Sequence, residues 1–371
     1  MVHVETPTAN SVVITKHDFH IDFIEFFAIA FVLLYHSTLD YYNILEDDNY
    51  LHNFRYYLRS ILSTCVPLFF FANGFLLLNK KFDLRKHIYK TIKITSLYFV
   101  WSALTIFIKM YICGQFLGIK ETISSIIFLK LGWNNHLWFL KVLVVIYIIF
   151  PIIKYIYDSN RALFIYFIVI CSISTFGCNI LSNIASVMVY TIGSHRVFDG
   201  YDFTFAFSPM KEWHWWAFVY FCVGGICYQH KNKIVAISAH KRNLLALFAI
   251  IVNSFLLYLI GVMYSHLNDK MYDIVWDGYD TIFTFINVIS IYILCLNLNR
   301  GVKWIQIISI NTLGIYLIHG FFIFSMRPIL KAIGFSGSFL HTLLFAFFAL
   351  AASLATTTLI RKIRFIKWLV S

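Results

Sequence analysis

Charge is what this chain has least of. Only 48 of its 371 residues are Asp, Glu, Lys or Arg, which is 13% and about half the share of a soluble domain. Acids are the scarcer sign, 18 against 30 basic residues. Five prolines and 16 glycines are too few for a collagen-like or low-complexity chain, and seven cysteines are too few for a disulfide scaffold. Those cysteines, Cys65, Cys113, Cys171, Cys178, Cys222, Cys227 and Cys295, show neither a C-x-x-C nor a metal-ligand spacing, and they read as small core residues. What abounds is apolar: 60% of residues are hydrophobic and 19% aromatic. A chain so poor in charge cannot cover a water-facing surface, which leaves a polytopic membrane protein.

A membrane-crossing helix needs about 20 mostly apolar residues. Such stretches fall at 19–41, 56–78, 89–112, 136–157, 162–180, 213–230, 242–264, 278–298, 306–328 and 337–360. They predict an all-α protein of about ten transmembrane helices. Residues 1–18 read as a polar N-terminal tail, 19–360 as one membrane domain and 361–371 as a basic C-terminal tail. No cleavable signal precedes the first apolar stretch, which is long enough to act as its own insertion signal. Leu181 to Ile192 is also apolar and could extend the fifth span, re-enter the membrane or lie in the interface.

The net charge of +12 sits in short loops between spans, so it sets membrane orientation and implies no nucleic-acid partner. With ten spans, the two tails and the loops on their side carry 18 Lys and Arg, and the other loops carry 9. The excess places both termini in the cytoplasm. The longest loop, about 181–212, is then external. It runs into Trp213, His214, Trp215 and Trp216, an aromatic girdle at headgroup level. Its Tyr190, His195, Arg196, Asp199, Tyr201 and Asp202 could face a sugar or simply solvent.

Ionisable groups inside spans need a partner, a route to the interface or a function. The first span holds Asp22, Glu25 and His36. Eleven residues turn a helix through about three whole turns and climb roughly 16 Å, so Glu25 and His36 share a face, with Asp22 beside Glu25. That face turns from lipid toward the bundle interior. His36 could be a hydrogen-bonded core histidine or a proton acceptor. Lys86, Lys90 and Lys93, at i, i+4 and i+7, form a basic ladder open to two readings: snorkelling lysines or an anion site. Further candidates for a polar cavity are Asn73 after a kink at Pro67, His136, Trp138 and Lys141 at the start of the fourth span, and His319 in the ninth. No metal site is expected.

These residues fall into segments with a familiar order. Ile21-Asp22-Phe23-Ile24-Glu25 through Tyr35-His36, Val66-Pro67-Leu68-Phe69-Phe70-Phe71-Ala72-Asn73-Gly74-Phe75, His136-Leu137-Trp138-Phe139-Leu140 and Gly314-Ile315-Tyr316-Leu317-Ile318-His319 resemble the successive landmarks of the membrane acyltransferase 3 family. The resemblance implies transfer of an acyl group, usually acetyl, from cytoplasmic acyl-CoA to a hydroxyl of an exported or lipid-linked glycan. It implies a multi-pass protein of the bacterial plasma or inner membrane, with acetyl-CoA as donor substrate and no permanently bound cofactor. It makes His36 the catalytic histidine and places Lys90 and Lys93, with Lys86 nearby, at the family's basic donor-binding pair. The chain departs from the pattern at Glu25, which fills a slot where the family has Arg or Lys. A structural role for Glu25, paired with Lys90 or Lys93, would reconcile that carboxylate with a phosphate-bearing donor. Two alternatives are a lipid-linked glycan transporter or flippase and a non-catalytic relative.

Overall fold

The computed structural model describes residues 18–37, 44–45, 50–128, 134–192, 214–298, 300–335 and 338–371. Helix dominates throughout, and no strand occurs among the described residues. Eight runs are long and apolar enough to cross a membrane: Phe19–His36, Tyr50–Leu77, Leu84–Cys113, Asn135–Ser159, Arg161–Met188, Ala239–Leu267, Thr312–Ala332 and Phe339–Lys362. The helix Trp215–Val235 and the shorter apolar helix Ile282–Cys295 fall at the other two predicted stretches. The outer surface is lipid-like, with Phe107, Tyr111, Ile148, Phe248, Ile251 and Phe347 all exposed, as expected where the solvent is hydrocarbon rather than water.

In chain order the helices are α1 (Phe19–His36), α2 (Tyr50–Leu62), α3 (Cys65–Leu77), α4 (Leu84–Cys113), α5 (Ile119–Phe128), α6 (Trp138–Ser159), α7 (Arg161–Ser172), α8 (Cys178–Thr191), α9 (Trp215–Val235), α10 (Ala239–Leu267), α11 (Ile282–Cys295), α12 (Lys303–Ile310), α13 (Thr312–Ala332) and α14 (Phe339–Lys362). Leu181 to Ile192 extends the fifth span: α7 passes through a π-turn at Ile173–Gly177 straight into α8.

Proline chemistry explains two local features. Pro67 was expected to kink the second span, but the break lies at Ser63 and Thr64, between α2 and α3. Pro67 has no N–H for the Ser63 carbonyl four residues back, and the Ser63 and Thr64 hydroxyls donate back to the carbonyls of Ser60 (2.7 Å) and Ile61 (2.7 Å). Pro151, inside α6, likewise deprives the Tyr147 carbonyl of a helical partner. The His87 ring, from α4, donates to that carbonyl at 2.7 Å. At the start of α4 the Asp83 side chain takes the Lys86 amide at 3.1 Å, a bond that holds its carboxyl below the usual carboxylate range.

The core is built around α3, which packs against α1 and α9. α3 and α9 cross so closely that a Cβ on Gly74 would stand 1.7 Å from the Phe221 carbonyl oxygen, and one on Gly224 2.1 Å from that of Phe71. Only glycine permits such an approach. At one end of the bundle, Asp18 beside α1 meets Lys231 of α9, and Arg242 of α10 reaches Asn297 after α11. At the opposite end, where α1 finishes at His36, the loop 271–281 folds inward and buries Ile274 and Val275 completely. The Tyr56 and Tyr220 hydroxyls donate to its Tyr272 and Tyr279 carbonyls at 2.9 and 3.0 Å. All seven cysteines are free; six are buried, and Cys113 at the end of α4 is exposed.

Candidate functional site

A cavity of 620 Å³ opens at the end where α1 terminates, lined by Val32, Tyr35, His36, Cys65, Val66, Asn135, His136, Trp138, His214, Asp273, Trp276 and Tyr279. Its walls come from α1, α3, the turn before α6, the residue before α9 and the loop 271–281. His36 ends α1, where the helix leaves its last carbonyls without intrahelical partners. The Arg327 guanidinium, from α13, donates to the His36 carbonyl and so anchors the backbone at that residue. The His36 ring lies 4.7 Å from the Tyr35 ring and 5.4 Å from that of His319 between centroids.

Three histidines from separate apolar stretches gather here, His36, His136 and His319. His319 is 1% exposed, its Nδ1 bonds the Tyr316 carbonyl at 2.5 Å, and its ring stands 6.1 Å from that of His136. His136 is buried, and neither ring nitrogen has a hydrogen-bond partner among the described residues. It is fixed through its backbone, whose carbonyl takes the Tyr316 hydroxyl.

The mouth of the cavity is aromatic. Trp138 stacks on Tyr279 at 5.8 Å and meets Trp276 edge-on at 4.9 Å, with His214 5.6 Å away. Asp273 pins this wall to α1 and α2. Its Oδ2 accepts the Tyr35 hydroxyl at 2.5 Å, its Oδ1 lies 3.5 Å from Arg59 Nη2, and Oδ1 also accepts the amides of Val275 (3.2 Å) and Trp276 (3.4 Å). The Arg59 guanidinium lies over the Tyr35 ring at 5.1 Å.

Glu25 sits about 16 Å and Asp22 about 21 Å along α1 from His36, and they share one hydroxyl: Ser309, at the end of α12, stands 3.0 Å from Asp22 Oδ1 and 2.5 Å from Glu25 Oε2. Neither expected lysine supplies that bond. Lys90 Nζ lies over the Tyr147 ring at 5.2 Å, Lys93 reaches the Ser371 hydroxyl at 3.5 Å, and Lys86 stands exposed beside Asp83 at 3.6 Å.

Two sequence candidates lie elsewhere. Asn73 is turned between α3 and α6, donating to the Phe69 carbonyl at 2.9 Å and receiving the Tyr147 hydroxyl at 3.4 Å. Lys141, one turn after Trp138 on α6, is exposed and outside the cavity lining. Of the long loop, His195, Arg196, Asp199, Tyr201, Asp202 and Trp213 lie outside the described residues, as does the Tyr190 side chain.

Tyr35, Arg59, Asp273, Trp276, Tyr279 and Arg327 are the site residues that sequence reading missed. One signal was available, the dense run of aromatics and acids from Tyr272 to Asp280 between two apolar spans.

The sequence model of the acyltransferase 3 family, described as an acyltransferase domain, matches residues 19–361. The chain belongs to the acyltransferase 3 family. This membrane acyltransferase matches none of the curated proteins and none of the solved structures with which it was compared. The geometry of this acyltransferase sets histidines and aromatics at one end of α1 and carboxylates at the other.

Proposed function

We propose that this acyltransferase moves an acetyl group from cytoplasmic acetyl-CoA to a hydroxyl of an exported or lipid-linked glycan, with His36 as general base. The observation that carries the reading is the position of His36, half-buried in the wall of a cavity whose mouth is formed by Trp138, Trp276 and Tyr279. Flat aromatic rings suit the apolar face of a sugar, while Asp273 and Asn135 offer polar atoms to its hydroxyls. With both termini cytoplasmic, as the loop charges favour, the ten apolar stretches all cross the membrane and this cavity faces outward. The cations of α4 then face the cytoplasm, where the donor is.

In the reaction, the acceptor hydroxyl gives its proton to the His36 imidazole as its oxygen bonds to the thioester carbonyl carbon. The carbonyl re-forms as the C–S bond breaks, and the CoA thiolate leaves with the proton from the imidazolium. Arg327 and the Tyr35–Asp273–Arg59 network hold the histidine and the cavity wall in register for that exchange.

The test is transfer of radiolabelled acetyl from acetyl-CoA to glycan in membrane vesicles containing the protein. His36→Ala should lower it by about 100-fold or more at unchanged protein abundance. Undiminished labelling in that variant would remove His36 from the mechanism. Glycan movement without consumption of acetyl-CoA would favour a carrier.

A further inference from the structure

His136 is held in a way that serves no packing purpose. It is 9% exposed and lines the cavity, and both of its ring nitrogens are buried without a hydrogen-bond partner among the described residues. Buried polar atoms are nearly always paired, so an orphan pair in a cavity wall asks for a ligand. The neighbouring side chains do not pair them. Gly320 of α13 lies against the Nε2 edge, where a Cβ would stand 3.5 Å from Nε2 and from Cδ2, and glycine has no polar side chain to offer. Phe324, one turn on, presents an apolar ring 6.4 Å away. The His319 ring, edge-on at 6.1 Å, commits its Nδ1 to the Tyr316 carbonyl.

The backbone beneath the imidazole is fixed by three helices. Asn134 Nδ2 donates to the Ser102 hydroxyl of α4 at 2.5 Å and to the Ser125 carbonyl of α5 at 3.0 Å. The Leu137 amide closes the turn on the Asn134 carbonyl at 2.9 Å, and the Tyr316 hydroxyl of α13 donates to the His136 carbonyl. A polar ring set on so rigid a turn, with its own bonds unmade, is preorganised for a ligand atom.

The rest of the inner wall indicates which atom that is. Val32 and Val66 are apolar, Cys65 faces the Tyr279 hydroxyl at 3.5 Å, and the Tyr35 hydroxyl is given to Asp273 at 2.5 Å. His36, whose ring lies 5.4 Å from that of His319, is the base in the reaction proposed above, so it takes a proton as the acceptor oxygen attacks. That attack moves an electron pair of the carbonyl onto the thioester oxygen, and the negative charge there calls for a hydrogen-bond donor. An imidazole has at least one N–H in either protonation state.

We infer that His136 is a second catalytic histidine, which donates an N–H to the thioester carbonyl oxygen as that oxygen becomes an oxyanion. The assignment rests on the acetyl-transfer reading above. His136 keeps its proton throughout: the electron pair returns, the carbonyl re-forms, the C–S bond breaks, and the thiolate takes its proton from His36. The two rings, both against His319, divide the work into a base for the acceptor and a donor for the carbonyl oxygen.

The experiment measures acetyl transfer to glycan in membrane vesicles over a range of acetyl-CoA concentrations, for wild type, His36→Ala, His136→Phe, His136→Leu and His136→Gln. Each is checked for abundance and for melting temperature in detergent, and His136→Leu repeats the His136→Phe test with a smaller side chain. A bond made only in the transition state lowers kcat and kcat/KM together. Both apolar variants should therefore lose about 100-fold or more in kcat at an unchanged KM for acetyl-CoA. His136→Gln, whose amide N–H can donate in place of the ring's, should keep about tenfold more of the rate than His136→Phe. A folded apolar variant with wild-type kcat, or a loss confined to KM, overturns the assignment. If wild type labels glycan and His36→Ala does not, such a result strikes His136 alone. If wild type transfers no acetyl, the acetyl-transfer reading falls and the role of His136 falls with it.

Discussion

His136 spends its burial badly: two ring nitrogens lie away from water with no partner among the described residues. A buried polar atom without a hydrogen bond costs about 1–3 kcal/mol, whereas an apolar group of similar shape costs none of it. His136→Phe should therefore keep or raise thermal stability in detergent, by about 1 kcal/mol. A clear fall in melting temperature would mean that the imidazole has a partner after all. The same residue shows how far single positions could be read from sequence. His36, His136 and His319 were recognisable because ionisable groups in apolar stretches are rare, and their depths follow from counting residues. Trp138 belonged with them, but Lys141, one turn on along the same helix, is exposed and does not line the cavity. Asp273 and Arg327 were illegible for a different reason. Each acts across more than 200 residues of chain, on Tyr35 and on the His36 carbonyl respectively, and nothing local announces such a meeting.

Among the helices, α3 and α9 depend most sharply on one residue type. At Gly224 a methyl group would stand 2.1 Å from the Phe71 carbonyl oxygen and 2.8 Å from the Phe75 amide nitrogen. Both obstacles are backbone, which cannot rotate aside. Gly224→Ala should cost about 3 kcal/mol or more and lose the monodisperse peak in size-exclusion chromatography. Gly177→Ala makes the matching control: the added carbon would meet only an Ile173 methyl at an ordinary 3.8 Å, and the variant should behave as wild type. Element existence was written plainly in the apolar runs, element continuity was not. A hydropathy window cannot see that Ser63 and Thr64 divide the second run, or that Asn311 separates α12 from α13, because both breaks are made by hydrogen bonds in sequence that is otherwise apolar or small. Nor does it see that α7 and α8 run on as one through a π-turn.

For the molecule as a whole, one dimension stands out. α11 has 14 residues, a rise of about 21 Å, while the hydrocarbon layer it inhabits is about 30 Å thick. Its neighbour α10 has 29 residues and twice the reach. The shortfall falls at the cavity end, where the loop 271–281 dips in ahead of α11 carrying Asp273 and Trp276. No residue of α11 is exposed, so the shortfall faces neighbouring helices rather than lipid, and the loop and cavity occupy the depth that a full-length helix would fill. A recess sunk into the bundle in this way shortens the crossing that the proposed reaction needs between a thioester on one side and a hydroxyl on the other. Because protein lines that recess, transfer in reconstituted vesicles should run at similar rates in dimyristoleoyl and dierucoyl phosphatidylcholine, and a steep dependence on lipid length would mean that lipid reaches α11. The acyl group would then cross a span thinned by the protein itself, and a cell that remodels its fatty acids would leave this step untouched.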